Sequence, residues 1–163
     1  SISFFCLWLI LHQHMIFAAI IWWMGRLLDG TDGIYARQTD QASAFGAYLD
    51  IVCDMASYSL IAVGLFFAFP EFQMQWVLML FFYVLCIASA LSLGSLEAEQ
   101  GQVNDNRGLR LGAGLAEGGE TGIAYTIFFL FPQYLHITTW IWVAILFVTV
   151  VSRTFLASSI LKR

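Results

Sequence analysis

The stretch "LLDGTDGIYARQTDQASAFGAYLDIVCD", residues 27–54, contains five of the chain's eleven acidic residues. Four of them are regularly spaced aspartates: Asp29, Asp32, Asp50 and Asp54. Carboxylates that gather in one place repel each other, and they stay ionised only when cations share the space. Their oxygens are the ligands that hard divalent cations such as Mg²⁺ and Mn²⁺ prefer, and a pair of such ions can clamp a phosphoryl group. The stretch therefore predicts a two-metal site for phosphoryl chemistry.

Helical spacing divides the stretch between two faces. Steps of three and four place the first set on one helical face: Asp29, Asp32, Gly33, Ala36 and Arg37. Steps of four place the second set on another: Gly46, Asp50 and Asp54. The link "QTDQASA" is short, so we expect two antiparallel neighbouring helices whose acidic faces meet.

The small residues and the arginine among these acids indicate what the site could bind. Glycine and alanine leave room for a ligand, and a guanidinium is a good partner for phosphate oxygens. The combination predicts a diphosphate held together with two metals. The alternative is that some aspartates cap helices or pair with Arg26, Arg37 or Arg107.

The composition indicates a membrane protein. Apolar residues make up 60% of the 163-residue chain and charged residues only 11%. A soluble protein needs a charged surface that this composition cannot supply, and several apolar runs approach the roughly 20 residues that cross a bilayer. We therefore expect an integral membrane protein with a single transmembrane domain over residues 1–163. No basic tract accompanies the net charge of −4, so no nucleic-acid partner is expected.

The apolar runs predict an all-α fold, a polytopic membrane helix bundle with six transmembrane helices. The first is expected to be incomplete, because residues 1–11 are too short to span and resemble the end of a helix. The others are expected at about Met15–Leu28 with continuation into the aspartate stretch, Ala44–Phe69, Trp76–Leu96, Leu111–Phe131 and Thr138–Ile160. Pro70 and Pro132 are expected just past helix ends.

Charge asymmetry predicts the orientation. Consecutive spans alternate in direction, so the links at 29–43 and 97–110 share a side with the C-terminus, and all seven Lys and Arg lie on or near that side. The opposite links, "FPEFQMQ" and "FPQYLHITT", contain none. The positive-inside rule therefore predicts that the aspartates face the cytoplasm, in what we expect to be a bacterial inner membrane. Trp76, Trp140 and Trp142 are expected to form an aromatic belt at the opposite interface.

The aspartate stretch resembles the signature of the CDP-alcohol phosphotransferase family, also called CDP-alcohol phosphatidyltransferases. That signature reads D-x-x-D-G-x-x-A-R, then about eight residues, then G-x-x-x-D-x-x-x-D. All of its fixed letters are present, as Asp29, Asp32, Gly33, Ala36, Arg37, Gly46, Asp50 and Asp54. The layout is similar too, because the family has six membrane helices with this motif across the second and third.

The resemblance implies a reaction and a role for each motif residue. An alcohol attacks the β-phosphate of a CDP-linked lipid, a phosphodiester forms and CMP leaves. By position, the four aspartates would hold two divalent cations, Mg²⁺ or Mn²⁺, and Asp54 would also take the proton from the acceptor hydroxyl. Gly33, Ala36, Arg37 and Gly46 would contact the CDP portion of the donor. The family further implies a homodimer among membrane lipids.

The sequence leaves the acceptor alcohol open. Family members that make phosphatidylglycerophosphate often carry a Gly-Lys-x-Lys-Thr-type stretch, where this chain has "RGLRLGAGLAEGGET". Glycerol 3-phosphate, inositol phosphate, inositol and serine are therefore all candidates. Arg107 and Arg110 could bind an acceptor phosphate or face lipid headgroups. Arg153, within the sixth span, is expected to have a cavity or a partner, and it too could bind the acceptor. Glu117 and Glu120 could pair with these arginines, contact the acceptor or lie exposed.

Two functions of other classes are also open at this point. A divalent-cation transporter would use intramembrane acids, although a cation path gains nothing from an arginine beside its ligands. A non-catalytic membrane scaffold would retain the fold, although it predicts the loss of at least one ligand aspartate, and none is lost here.

Overall fold

The protein is helical throughout the part of the chain that the structure describes. The structure is a computed structural model that describes residues 2–38, 43–99 and 118–161, with 32–38, 44, 97–99 and 160–161 described by backbone alone. Six α-helices occur in these ranges: α1 Ile2–Leu11, α2 Met15–Gln38, α3 Ala44–Ala68, α4 Gln73–Glu99, α5 Gly118–Leu130 and α6 Leu135–Leu161. The described ranges contain no strand, which confirms the predicted all-α fold.

The long helices have the length and composition of membrane spans. Three described segments are long and apolar enough to cross a bilayer: Phe45–Ala68, Pro70–Leu96 and Pro132–Ser159. Many of their large apolar side chains point outward, including Phe67, Phe81 and Phe147. Such exposure is unfavourable in water and favourable in lipid. The protein is therefore a polytopic helical membrane protein, as the composition predicts.

Proline determines where two of the connections lie. α3 ends at Ala68, a 3-10 helix follows at Pro70–Phe72, and α4 continues directly from Gln73. A second 3-10 helix at Pro132–Tyr134 leads into α6 in the same way. The predicted positions of both prolines are confirmed. α4 and α6 each begin three residues earlier than predicted, because residues 73–75 and 135–137 already form the first helical turn instead of a loop.

The aromatic-belt prediction is wrong for two of the three tryptophans. Trp76 and Trp142 are buried in the bundle, and only Trp140 is exposed. The Trp76 ring packs edge-on against Phe128, with 5.6 Å between ring centroids. The Trp142 indole nitrogen donates a hydrogen bond to the Tyr83 hydroxyl at 2.9 Å. Both rings therefore fill the core between helices, where a large side chain with one satisfied polar atom packs well.

α1 holds the two motif-bearing helices together. It packs against both α2 and α3, and the Ser3 hydroxyl lies 2.8 Å from that of Ser57. The turn into α2 passes through Gln13, whose φ of 61° lies in the left-handed region. The Gln13 side-chain amide donates to the carbonyl of Ala68 at 3.1 Å. This contact joins the α1–α2 turn to the end of α3.

α2 and α3 contact each other mainly through large side chains. In the described ranges their backbones do not come close over any long stretch. Trp22 of α2 and Tyr58 of α3 pack edge to face, with centroids 5.9 Å apart, and Trp22 also packs against Tyr125 of α5 at 5.3 Å. The Tyr125 hydroxyl donates to the Tyr58 carbonyl at 2.7 Å. These three buried rings form a platform one helical turn from Asp54.

We predict that adding a methyl group at Gly64 destabilises the contact between α1 and α3. A Cβ there would lie 2.7 Å from Leu7 Cδ1 and 3.4 Å from Ile10 Cγ2. Gly64→Ala should therefore lower the free energy of unfolding by about 1–3 kcal/mol relative to Gly119→Ala, through overpacking. Gly119 is the control, because a Cβ at that residue would meet nothing within 4 Å. Gly119 lies in the first turn of α5, so Gly64→Ala gains at least as much helix propensity and the predicted difference is not a propensity effect. Thermal unfolding in detergent measures the difference, and equal stability of the two variants would contradict the packing described.

Candidate active site

One guanidinium joins the acids of the two motif-bearing helices. Nη1 of Arg26, on α2, lies 2.6 Å from Oδ1 of Asp54, on α3. Nη2 of Arg26 lies 3.8 Å from Oδ2 of Asp29, one turn further along α2. The side chains of Arg26 and Asp54 are 17% and 22% exposed, so the contact between them is largely shielded from water. The first and last aspartates of the motif are therefore brought to the same cation.

Tyr58 of α3 is the fourth member of this cluster of Arg26, Asp29 and Asp54. Its hydroxyl donates to Oδ2 of Asp54 at 3.0 Å and accepts from Nη1 of Arg26 at 3.0 Å. The residue is 2% exposed and lies four positions after Asp54, on the same face of α3. Both oxygens of the Asp54 carboxylate thus have a fixed neighbour, and the orientation of this side chain is set by groups on α2 and α3.

The start of α5 closes the cluster on a third side. Trp22 and Trp23 of α2 attach α5 by hydrogen bonds from their indole nitrogens, to the Gly122 carbonyl at 3.3 Å and to the Thr126 hydroxyl at 2.8 Å. A Cβ at Gly118 would lie 3.1 Å from the Tyr58 hydroxyl and 3.9 Å from Oδ2 of Asp54. The absence of a side chain at residue 118 therefore lets α5 approach the acids.

The remaining motif residues lie around this cluster to different extents. Asp50 is exposed on α3, about 6 Å along the helix axis from Asp54 toward the helix start. Gly46 is in the first turn of α3, where its amide donates to the N-cap hydroxyl of Ser43 at 3.0 Å. The other motif residues belong to α2 and are described by backbone alone: Asp32, Gly33, Ala36 and Arg37.

The described side chains do not by themselves form a metal cluster. The side chain of Asp32 is not among those described. Among the described side chains, no group of three or more His, Cys, Asp or Glu is arranged to hold a metal ion. The donor chemistry nevertheless fits Mg²⁺ or Mn²⁺, because Asp29, Asp50 and Asp54 offer only oxygen ligands. Oδ1 of Asp54 is buried and faces Nη1 of Arg26 without the geometry of a hydrogen bond, so its lone pairs are not committed to a hydrogen bond.

Two residues of the cluster are absent from the motif. The alternative that some aspartates pair with Arg26 is confirmed for Asp29 and Asp54, but the sequence did not indicate that one arginine serves both helices. Its spacing of three from Asp29 was the available signal. Tyr58 was not predicted, although its spacing of four from Asp54 places it on the acidic face. From the sequence, a tyrosine at that position could equally be a core residue, and Tyr58 is indeed buried in the core.

The residues proposed for the acceptor are less fully described. Arg107, Arg110 and Glu117 lie outside the described residues, and Glu120 is exposed at the start of α5. Arg153 is 3% exposed, and its Nη1 donates to the Cys86 carbonyl of α4 at 2.7 Å. The expectation that this intramembrane arginine has a partner is therefore confirmed.

Comparison with known proteins identifies relatives over most of the chain. The family model described as CDP-alcohol phosphatidyltransferase matches residues 1–151. The "Inner membrane protein YnjF" of Escherichia coli is 33% identical over 145 residues, which cover 83% of this chain and 68% of that protein. No solved structure matches.

Two further relatives carry enzyme names, and each is similar over a shorter region. The "CDP-diacylglycerol--inositol 3-phosphatidyltransferase" of Candida albicans is 33% identical over 75 residues, covering 46% of this chain and 31% of that protein. The "CDP-diacylglycerol--glycerol-3-phosphate 3-phosphatidyltransferase" of Wigglesworthia glossinidia brevipalpis is 34% identical over 61 residues, covering 37% and 32%. The match to the family model extends over nearly the whole chain, and the chain therefore belongs to the CDP-alcohol phosphatidyltransferases, a family of membrane enzymes.

Proposed function

We propose that this protein transfers a phosphatidyl-type group from a CDP-alcohol, such as CDP-diacylglycerol, to a hydroxyl of a small polar alcohol, with release of CMP. The observation that supports this most is the junction of Asp29 and Asp54 at Arg26. It brings acids from both halves of the family motif into one partly buried cluster. A cluster of this kind is expected where a highly charged diphosphate reacts beside hydrocarbon.

The four motif aspartates are the proposed ligands of two divalent cations. Asp29 and Asp32 would contribute from α2, and Asp50 and Asp54 from α3. When bound, Mg²⁺ or Mn²⁺ would neutralise charge on the reacting phosphate. Gly33, Ala36, Arg37 and Gly46 are proposed to contact the CDP portion.

Asp54 is the proposed general base. It would accept the proton of the acceptor hydroxyl as that oxygen forms a bond to the β-phosphorus. The bond between the β-phosphorus and the oxygen that bridges to the α-phosphate then breaks, and CMP leaves with that oxygen. The hydrogen bond from Tyr58 holds Oδ2 of Asp54, so the carboxylate keeps one orientation while it takes up the proton.

The acceptor is the open part of the proposal. The names of two relatives specify inositol and glycerol 3-phosphate as acceptors of those enzymes. We propose glycerol 3-phosphate first, with inositol phosphate, inositol and serine as alternatives, and Arg107, Arg110 and Arg153 as residues that would contact the acceptor. Arg153 is buried beside Cys86 and Ser89 of α4, so it would act from within the bundle.

The proposed location is a bacterial inner membrane, with the active site at the cytoplasmic face. The Lys and Arg asymmetry of the sequence supports this orientation, and the name of the E. coli relative places that protein in an inner membrane. CDP-linked lipid would then enter from the membrane, and the polar acceptor from the cytoplasm. A homodimer is proposed from the family alone.

The reaction is tested with purified protein, CDP-diacylglycerol, Mn²⁺ and a panel of the four acceptors. We expect CMP release with one acceptor of the panel and its loss when EDTA removes the metal. Asp54→Asn should lower the rate by about 100-fold or more, because both general-base catalysis and a metal ligand are affected. Glu71→Gln is the control, because Glu71 is exposed at the 3-10 helix after α3. Full activity of Asp54→Asn would contradict the assignment, and no CMP with any acceptor would contradict the proposed reaction.

We also predict that residue 118 must lack a side chain for full activity. Gly118→Val should push against the Tyr58 hydroxyl and Asp54, and lower CMP release by about 10-fold or more, because small displacements of a catalytic group are costly. Gly119→Val is the matched control, since a Cβ at Gly119 meets nothing within 4 Å. Rates of the two purified variants at saturating donor measure the effect. Equal rates would show that the approach of α5 to the acids does not matter for the reaction.

A further inference from the structure

Arg26 is not part of the family motif, yet it has more contacts with the motif acids than any other described side chain. It forms ion pairs with Asp54 and Asp29 and donates a hydrogen bond to Tyr58. The proposed roles of the motif residues leave it without a function. A charged side chain that is 17% exposed at the membrane boundary is costly unless its position serves a purpose.

The surroundings of Arg26 hold it in place independently of the acids. Its guanidinium carbon lies 5.2 Å from the ring centroid of Trp22 and 5.3 Å from that of Tyr58. Both distances are within the range of a cation–π interaction, and both rings are buried. Its Nε, also buried, has no hydrogen-bond partner among the described residues. The two aromatic rings therefore stabilise the guanidinium, while its Nη1 and Nη2 atoms point toward Asp54 and Asp29.

This position conflicts with a divalent cation at Asp54. Nη1 of Arg26 lies 2.6 Å from Oδ1 of that carboxylate and the Tyr58 hydroxyl donates to Oδ2, so a metal ion that binds either oxygen would lie close to the guanidinium. Two cations cannot share one carboxylate oxygen at close range without mutual repulsion. The carboxylate of Asp29 lies farther from the guanidinium, with its Oδ2 3.8 Å from Nη2, and its side chain is 37% exposed.

Resting on the proposed function, we propose that Arg26 is a positioning residue that acts as a resident cation. It holds Asp29 and Asp54 together across α2 and α3, and it gives up its contact with Asp54 when a divalent cation binds. Trp22 and Tyr58 retain the guanidinium beside the site, so the exchange needs only a change in the tip of the side chain. Metal affinity is lowered by this competition, and the carboxylates are kept in position before the metal arrives.

The test is direct Mn²⁺ binding, followed by electron paramagnetic resonance of the free ion, with purified protein and no CDP donor. Arg26→Met removes the competing charge and keeps most of the side-chain length. We expect its Kd for Mn²⁺ to be lower by about tenfold or more, because a unit charge close to a shielded site changes a binding constant by at least that factor. Arg26→Lys keeps the charge and should bind Mn²⁺ with an affinity closer to that of the wild type. Asp54→Asn should bind it more weakly, and Glu71→Gln should match the wild type.

A second variant covers the case in which Arg26→Met does not fold. Tyr58→Phe keeps the aromatic ring but removes the hydroxyl that holds both Arg26 and Asp54. It should also lower the Kd for Mn²⁺, by a smaller factor. A purely structural role of Arg26 predicts weaker or unchanged metal binding in both variants, and that result would overturn this proposal alone. If the wild type itself binds no Mn²⁺, the proposed metal-dependent function fails and this proposal fails with it.

Discussion

Acidic side chains from α2 and α3 lie together beside apolar segments, and the helices around them have to keep this charge stable. An ionised acid at the membrane boundary is costly, and several of them together are stable only with positive charge among them. In the described cluster that charge is the guanidinium of Arg26, which bridges Asp29 and Asp54. The helices around it are arranged so that α2 and α3 approach each other at the level of this cation, through side chains more than through their backbones.

The other helices keep this junction in place. α1 packs against both α2 and α3, and α5 is attached to α2 by the two indole hydrogen bonds of Trp22 and Trp23. Tyr125 of α5 reaches the backbone of α3 at Tyr58, directly beneath the acids. Aromatic rings with one satisfied polar atom provide both the packing and the orientation. This platform limits the movement of Asp54, as the proposed role of Asp54 as a general base would require.

The sequence was sufficient for the fold class and for the family, because both depend on local patterns. Apolar runs of spanning length predict helices in a membrane, and the spacing of Asp29, Asp32, Asp50 and Asp54 follows the helical repeat. Contacts between distant segments were not predictable in this way. The burial of Trp76 depends in part on Phe128 of α5 packing against it, and the role of Tyr58 depends on which side chain of α2 reaches it. The predicted roles of all the motif residues remain predictions, and the side chains of Asp32 and Arg37 lie outside the described residues.

An anomalous-difference map of crystals grown with Mn²⁺ would show whether acids from α2 and α3 share one pair of metal ions. We expect two peaks between the two helices, both in contact with motif aspartates and one of them with Asp54. In that structure the Arg26 guanidinium should remain against Trp22 but no longer contact Oδ1 of Asp54. Peaks elsewhere in the protein, or an acyl chain packed between the helices at that level, would contradict the account.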